Sequence, residues 1–180
     1  MIKAILMSVL CMVSVQTLAV SSGSENANAL FKAIAQRLSY MEDVGLYKAN
    51  HHLPIEDIAR EEVVISKASQ SAAKVGLDSQ SVEGFFRAQI SAAKAIQYRY
   101  RADLLNAPTS REPRDLKAVV RPALITLGDQ INQEILAFLL AGGQLTETDW
   151  HNFSNALDMQ YLSEVDKRAL FDALSGIKLK

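Results

Sequence analysis

Cysteine, proline and net charge are all in short supply in this 180-residue sequence. The one cysteine, Cys11, lies in an apolar N-terminal run, so the remaining chain has no thiol for a disulfide, a metal-thiolate site or a cysteine nucleophile. The formal net charge of -1 provides no field to gather nucleic acid or anionic lipid. Hydrophobic residues make up 49% of the sequence, which is ample for a single globular core held by packing alone.

The first 20 residues, MIKAILMSVLCMVSVQTLAV, have the pattern of a secretory signal peptide. Lys3 is followed by an apolar run over 4–15 and by a small-x-small cleavage signal at 17–19. Gln16 ends the apolar run below the roughly 18 residues that a membrane-spanning helix needs, which argues against an anchor. The sequence therefore predicts a signal peptide over 1–19 and a periplasmic or secreted protein with no membrane association after cleavage.

The spacing of apolar residues predicts helices and no convincing strand, so we expect an all-α fold, a bundle of about six helices. Asn50 ends the first helix, Gly76 ends the second, and Asp78 or Ser79 caps the third. The first predicted helix covers 28–48. The second has Glu56 and Asp57 in its first turn and reaches residue 75, the third covers 79–106 and the fourth covers 116–141. Two shorter helices follow Thr146 and Ser163.

A proline-containing loop divides the mature chain. Two of the four prolines lie in APTSREPRD, residues 107–115, which is the one obvious loop. We therefore expect a catalytic helical core over 20–107 and a C-terminal helical part over 108–180 that packs on it. Pro122 must lie near the start of the fourth helix or kink it.

Charged side chains interrupt the apolar stripes of the first two helices. At about 100° per residue, Arg37 and Lys48 share the stripe of the first helix, roughly 16 Å apart along its axis. On the second helix, the stripe opens with Asp57, Arg60 and Glu61. Each residue alone has a simple structural explanation, because Asp57 can pair with Arg60 along the helix and Lys48 can extend from a helix end to water.

The third and fourth helices add an amide and a further cation. Gln97 lies near the centre of the apolar stripe of the third helix, and Arg121 flanks that of the fourth. A backbone group could satisfy the buried amide, but so many inward charges are costly to desolvate unless they contact water or a ligand. If the four cations converge with the two carboxylates, the local charge is about +2, which a small dianion would complete.

Three segments that carry these residues resemble the all-α chorismate mutases: RLSYMEDVGLYK, LPIEDIARE and AAKAIQYRYRAD. Their spacing, R-x10-K-x8-D-x2-R-E followed by a distant glutamine, is more informative than any single pair. The signal peptide and the long C-terminal half resemble the secreted, periplasmic subclass. The resemblance is strong over 29–106 and implies the type II, all-helical chorismate mutase fold with a C-terminal helical extension, and a homodimer with each site within one chain.

The resemblance also implies roles for individual residues. Lys48 and Gln97 match the catalytic positions of the family. The substrate-binding positions correspond to Arg37, Arg60, Arg121, Asp57 and Glu61. Arg121 would be the arginine that the secreted subclass supplies from its own chain, where shorter intracellular forms take one from the dimer partner. Ala93 departs from the pattern, since relatives often have Ser or Thr there, so a hydroxyl contact to a substrate carboxylate is absent.

The activity that the resemblance implies is an isomerisation, the rearrangement of chorismate to prephenate in the shikimate pathway of aromatic amino acid biosynthesis. An ether C–O bond breaks as a C–C bond forms within one molecule. The reaction therefore needs no cofactor, metal or nucleophile. Catalysis would come from holding the reactive conformer and from donors placed where negative charge develops.

Two other features of the sequence resemble known kinds of binding site. His51 and His52 do not indicate a metal site, because adjacent helical side chains point about 100° apart and no third ligand is suitably spaced. The YRYR segment does not indicate nucleic-acid binding, since we expect Lys94, Tyr98 and Arg101 to form a solvated face. The remaining alternative is a non-catalytic, exported helical module that binds an anionic aromatic metabolite or a protein partner.

Overall fold

The computed structural model describes residues 16–180, with side chains from Glu25 onward. The predicted signal peptide over 1–19 lies largely outside the described residues, and its cleavage stays a prediction. In the described part of the chain, seven α-helices are joined by loops, a π-helical turn and a 3-10 turn. The helices are α1 Gln16–Leu38, α2 Met41–Asn50, α3 Ile58–Val75, α4 Ser79–Asn106, α5 Arg121–Leu140, α6 Trp150–Ala156 and α7 Glu164–Ser175.

The all-α prediction is confirmed, and several helix ends coincide with the caps read from the sequence. Asp78 caps α4, and Gly76 ends α3 with a φ of 99°, a conformation that favours glycine. Thr146 precedes the 3-10 turn Glu147–Asp149, and Ser163 precedes α7, each in a capping box with the acid three residues later. Local polar residues therefore determine where these helices begin.

The prediction of one continuous first helix over 28–48 is wrong. Residues 39 and 40 form a turn between α1 and α2. Ser39 Oγ donates a hydrogen bond to the carbonyl of Gln36 at 2.8 Å, and a continuous helix would offer that carbonyl to the amide of Tyr40. A side chain that bonds to its own backbone thus competes with the helix at this point.

The start of α3 also differs from the prediction. Asp57 is the N-cap rather than a first-turn residue, and its Oδ1 accepts a hydrogen bond from the amide of Arg60 at 3.1 Å. Glu56 therefore lies in the loop before the helix. An aspartate at the N-cap satisfies an amide that has no partner within the helix, which explains why the helix begins only at Ile58.

The fourth predicted helix is divided by its proline. Leu116–Val120 forms a π-helical turn, and α5 follows it with Pro122 in its first turn. Proline has no amide hydrogen and its ring excludes the carbonyl four residues earlier, so a regular α-helix cannot pass through this point. Asp115 Oδ1 caps the turn by accepting from the amides of Lys117 at 2.7 Å and Ala118 at 2.6 Å.

The packing of the helices places α4 at the centre of the molecule. Helices α2, α3 and α7 pack against α4, while α1 packs against α5 and α6. An aromatic cluster joins the C-terminal helices to α1, since the Phe153 ring lies 5.1 Å from that of Phe31 and 5.2 Å from that of Phe171. None of the described helices is long and apolar enough to cross a membrane.

Candidate active site

A cavity of about 190 Å³ lies among α1 to α5. Apolar side chains, including Val44, Phe86 and Leu124, form part of its wall. All seven functional residues predicted from the sequence line it: Arg37, Lys48, Asp57, Arg60, Glu61, Gln97 and Arg121. They come from five helices, so only the folded chain brings them together.

Arg37 is the most deeply buried cation of the cavity, with 5% of its surface exposed. Its Nη1 donates to Gln89 Oε1 at 2.9 Å, and its guanidinium lies 5.7 Å from the centroid of the Phe86 ring. Burial lowers the pKa of Arg37 to about 10, and no carboxylate of the described residues opposes that shift. Arg37 remains a cation at neutral pH, with a neutral amide as its neighbour.

Lys48 lies in the last turn of α2, half-buried at the cavity wall. Its Nζ donates to the backbone carbonyl of Ile55 at 2.5 Å. Burial lowers the pKa of the Lys48 ammonium, the carboxylates of Asp57 and Glu61 oppose that shift, and Arg121 adds to it. Lys48 is therefore coupled electrostatically to three of the other predicted residues, as a shared site requires.

The N-terminus of α3 brings two carboxylates to the cavity. Asp57 accepts from the backbone amide of Arg60 rather than from its guanidinium, so the expected side-chain pair between Asp57 and Arg60 is not formed. The amide of Asp57 in turn donates to Glu61 Oε1 at 3.3 Å. The Arg60 side chain has no hydrogen bond to any described residue and lines the cavity.

The expectation of a solvated face for Lys94 is wrong. Tyr98 is exposed, but Lys94 lines the cavity and its Nζ lies 3.1 Å from Glu61 Oε2 and 3.7 Å from Glu56 Oε1. The hydrogen bond that Lys94 donates to the Glu61 carboxylate raises the pKa of Lys94. The sequence did carry a signal for this position, because Lys94 precedes Gln97 by three residues and neighbours it on the helix surface.

Gln97 is buried on α4, where its amide is only partly satisfied. Its Nε2 donates to the carbonyl of Ala93 at 3.0 Å and approaches Met41 Sδ at 3.8 Å, which is the backbone contact considered for this amide above. Its Oε1 is buried and accepts no hydrogen bond from any described residue. Ala93 also lines the cavity, so its side chain offers no hydroxyl at this point of the wall.

The charge of the cavity wall is strongly positive. Six cations line it: Arg37, Lys48, Arg60, Lys67, Lys94 and Arg121. Three carboxylates accompany them: Asp57, Glu61 and Asp129. The excess of three positive charges exceeds the predicted +2, because sequence reasoning missed Lys67, Lys94 and Asp129. Lys67 follows Arg60 by two helical turns and could have been found by that spacing.

Histidines take no part in this cavity. The ring of His51 stacks on that of Tyr47, with centroids 4.0 Å apart, and His52 is exposed. In the part of the chain that the structure describes, no group of three His, Cys, Asp or Glu residues could hold a metal ion.

Helices that converge on a cationic cavity define an all-α protein with a pocket suited to a small dianion. A family model described as chorismate mutase type II matches residues 27–98. A monofunctional chorismate mutase from Enterobacter agglomerans is 41% identical over 159 residues, which cover 88% of this chain and 87% of that protein. A secreted chorismate mutase from Yersinia pestis is 41% identical over 148 residues, 82% of this chain and 79% of that protein.

A solved structure agrees with these sequence matches. The crystal structure of the secreted chorismate mutase from Yersinia pestis superimposes with a TM-score of 0.78 and 39% identity, covering 84% of this chain and 97% of that chain. The chain belongs to the type II chorismate mutase family, and the resemblance inferred from its sequence is confirmed.

Proposed function

We propose that the chain is a chorismate mutase that rearranges chorismate to prephenate inside this cavity, by electrostatic and conformational preorganisation without covalent catalysis. One observation carries the proposal. Lys48 and Gln97 line the same cavity as a set of arginines, so donors for a developing negative charge accompany groups that capture carboxylates. Simple capture of an anion would require only the arginines.

The arginines would hold the substrate in its reactive conformer. Chorismate is a flexible dianion whose reacting carbons must meet before the new bond forms. Arg37, Arg60 and Arg121 come from α1, α3 and α5 and can grip its two carboxylates from different sides. Guanidinium groups bind carboxylates in a bidentate manner, which orients as well as attracts them. This role is an orientation effect and lowers the entropy cost of reaching the transition state.

Lys48 and Gln97 would act at the ether oxygen. Partial negative charge grows there as the C–O bond lengthens, and a preorganised donor in a site sheltered from water is typically worth about 3 kcal/mol. Gln97 Nε2 now bonds to Ala93 O, and Lys48 Nζ to Ile55 O, so both donors are held at the cavity wall. Glu61 and the segment at Asp57 would receive the ring hydroxyl and keep the cations aligned.

The decisive test is the loss of chorismate absorbance on mixing with purified mature protein. We expect Lys48→Ala to lower kcat by about 100-fold or more, with an unfolding midpoint within about 4 °C of the parent. Lys32→Ala removes an exposed lysine of α1 and should leave both quantities unchanged. Near-normal turnover in Lys48→Ala would remove that residue from the mechanism.

The same assay separates the enzyme from the non-catalytic alternative. A helical module that only binds an anionic aromatic metabolite or a protein partner would leave the chorismate absorbance constant, although it could still bind the compound. The buried amide of Gln97, in the same cavity as Lys48, favours the enzyme, because carboxylate capture has no use for a second set of donors.

Export and assembly complete the proposal. A signal peptide over 1–19 and the relatives named as secreted support a periplasmic or secreted protein. Fractionation of cells that express the full chain should find activity outside the cytoplasm, on a protein that begins after Ala19.

The catalytic core over 20–107 and the part over 108–180, which supplies Arg121, would form each site within one chain of a homodimer. Sedimentation should give twice the chain mass.

A further inference from the structure

A buried glutamine outside the cavity contacts the most buried cation of the site. Gln89 lies on α4 with none of its surface exposed, two helical turns before Gln97. It does not line the cavity, yet its Oε1 accepts the hydrogen bond from Arg37 Nη1 at 2.9 Å. Gln89 has no role in the proposed mechanism.

The contact is unusual in its charge balance. A buried guanidinium is normally compensated by a carboxylate, because an unpaired charge is costly to remove from water. Arg37 instead has a neutral amide and the face of Phe86 as neighbours, and burial depresses its pKa for lack of a counter-charge. The fold holds this guanidinium in place without cancelling its charge.

Two polar atoms of the pair are left without partners. Arg37 Nε and Gln89 Nε2 are both buried and make no hydrogen bond to any residue that the structure describes. The described groups of the protein therefore satisfy the pair only incompletely, a costly arrangement for a purely structural contact. A glutamate at position 89 would give Arg37 a charged partner and would have no unpaired Nε2 donor, but it would also neutralise the cation.

We infer that Gln89 is a positioning residue that holds the Arg37 guanidinium at the cavity wall while leaving its positive charge for a substrate carboxylate. This inference rests on the proposed function and deepens it, because it assigns the neutrality of residue 89 to substrate affinity. The amide oxygen fixes the direction of the guanidinium, and the absence of a negative charge keeps it available to the dianion.

The test is Gln89→Glu, which keeps the size of the side chain and changes its charge. The new ion pair should leave the unfolding midpoint unchanged or raise it. The KM for chorismate should rise roughly 10-fold or more, because Arg37 loses most of its attraction for a carboxylate. The contact forms in both the ground state and the transition state, so kcat should change far less than KM.

Two further variants keep the inference falsifiable. Gln89→Met removes the acceptor without adding charge, so its KM should rise less than that of Gln89→Glu. Gln36→Glu introduces the same charge beside Arg37 in sequence, but on the exposed side of α1, and should leave KM unchanged.

The outcomes separate the two proposals. If the parent protein does not convert chorismate, the proposed function fails. If the parent is active but Gln89→Glu keeps its KM, loses stability together with affinity, or fails to fold, the inference about Gln89 is overturned. An equal or larger rise of KM in Gln89→Met would also overturn it, because the charge of residue 89 would then not matter.

Discussion

At the scale of single residues, unsatisfied polar atoms concentrate around the cavity. Five buried side-chain atoms in the described part of the chain lack a hydrogen-bond partner, and three of them belong to Arg37, Gln89 and Gln97. Each such atom costs stability, so folding alone does not account for this grouping. Of these three atoms, only Arg37 Nε is a donor on a residue that lines the cavity, and a carboxylate oxygen of the proposed dianion would accept its hydrogen bond.

The neutrality of Gln97 predicts a pH profile. An amide donates a hydrogen bond at any ordinary pH, whereas a glutamate can donate only when protonated. We expect the parent rate to be nearly flat around neutrality. In Gln97→Glu, kcat/KM should be about 100-fold lower at about pH 8 and should recover as the pH falls toward about 5. Initial rates across this range measure the effect.

An exposed glutamine provides the control for that profile. Gln133→Glu adds the same negative charge on the outer surface of α5, away from the cavity wall, and should keep the flat profile. If Gln97→Glu also keeps it, Gln97 does not donate to the reacting oxygen.

At the scale of helices, the sequence predicted what depends on neighbouring residues. The caps at Asp78 and Gly76 could be read directly, because a cap involves residues a few positions apart. The turn after Leu38 was missed because its cause is one side-chain hydrogen bond from Ser39, a residue that also occurs within helices. Lys94 was misplaced because burial of a charged side chain depends on a partner 33 residues away, Glu61.

The crossing of α2 and α4 depends on Gly45. A Cβ atom added there would lie 3.4 Å from Gln97 Cα and 3.4 Å from Tyr100 Cδ1, so the two helices approach closely at this glycine. Lys48 follows Gly45 by three residues on the same helix. The glycine therefore helps to set the distance between the two proposed donors, Lys48 and Gln97.

We expect Gly45→Val to force α2 away from α4. Overpacking of this kind costs about 1–3 kcal/mol in the free energy of unfolding, and a displacement of about 1 Å at the donors can lower kcat by roughly 100-fold. Gly84→Val is the matched control, because a Cβ at that exposed glycine of α4 meets no atom within 4 Å. Urea unfolding and kcat measurements on both variants test whether Gly45 sets the spacing of α2 and α4. Equal losses of stability and kcat in Gly45→Val and Gly84→Val would refute this role.

At the scale of the whole molecule, one buried carboxylate fastens the loop over 107–115 to the helical core. Asp43 on α2 is 3% exposed and pairs with Arg111 at 2.6 Å and with Arg114. The guanidinium of Arg114 also lies 4.1 Å from the centroid of the Tyr40 ring. Asp43 and Arg111 are 68 positions apart in the sequence, and Asp43 and Arg114 are 71 apart. No local sequence pattern reveals contacts over such separations. These ion pairs fix the loop that leads to Arg121.

The ion pairs of Asp43 with Arg111 and Arg114 predict that the stability of the fold is sensitive to acid. Burial alone would raise the pKa of the Asp43 carboxyl, but hydrogen bonds from Arg114 and Arg111 and the charge of Arg114 hold the pKa below its usual value of 3.8. A carboxyl with a depressed folded-state pKa stabilises the fold above its unfolded pKa, about 3.9, and loses that contribution as the pH falls through the folded-state value. The stabilisation from Asp43 should therefore be complete at neutral pH and should disappear in strong acid.

Asp43→Asn removes the charge while keeping the shape. We expect it to lower the free energy of unfolding by about 1–3 kcal/mol at neutral pH, with a smaller difference from the parent below about pH 3. Urea titrations at several pH values give both quantities, and the exposed Asp158→Asn should show neither effect. The ion pairs of Asp43 fix the loop before Arg121, a proposed substrate-binding residue. Asp43→Asn should therefore also have a raised KM for chorismate at neutral pH. A loss of stability that is independent of pH would show that Asp43 acts through packing and not through its charge.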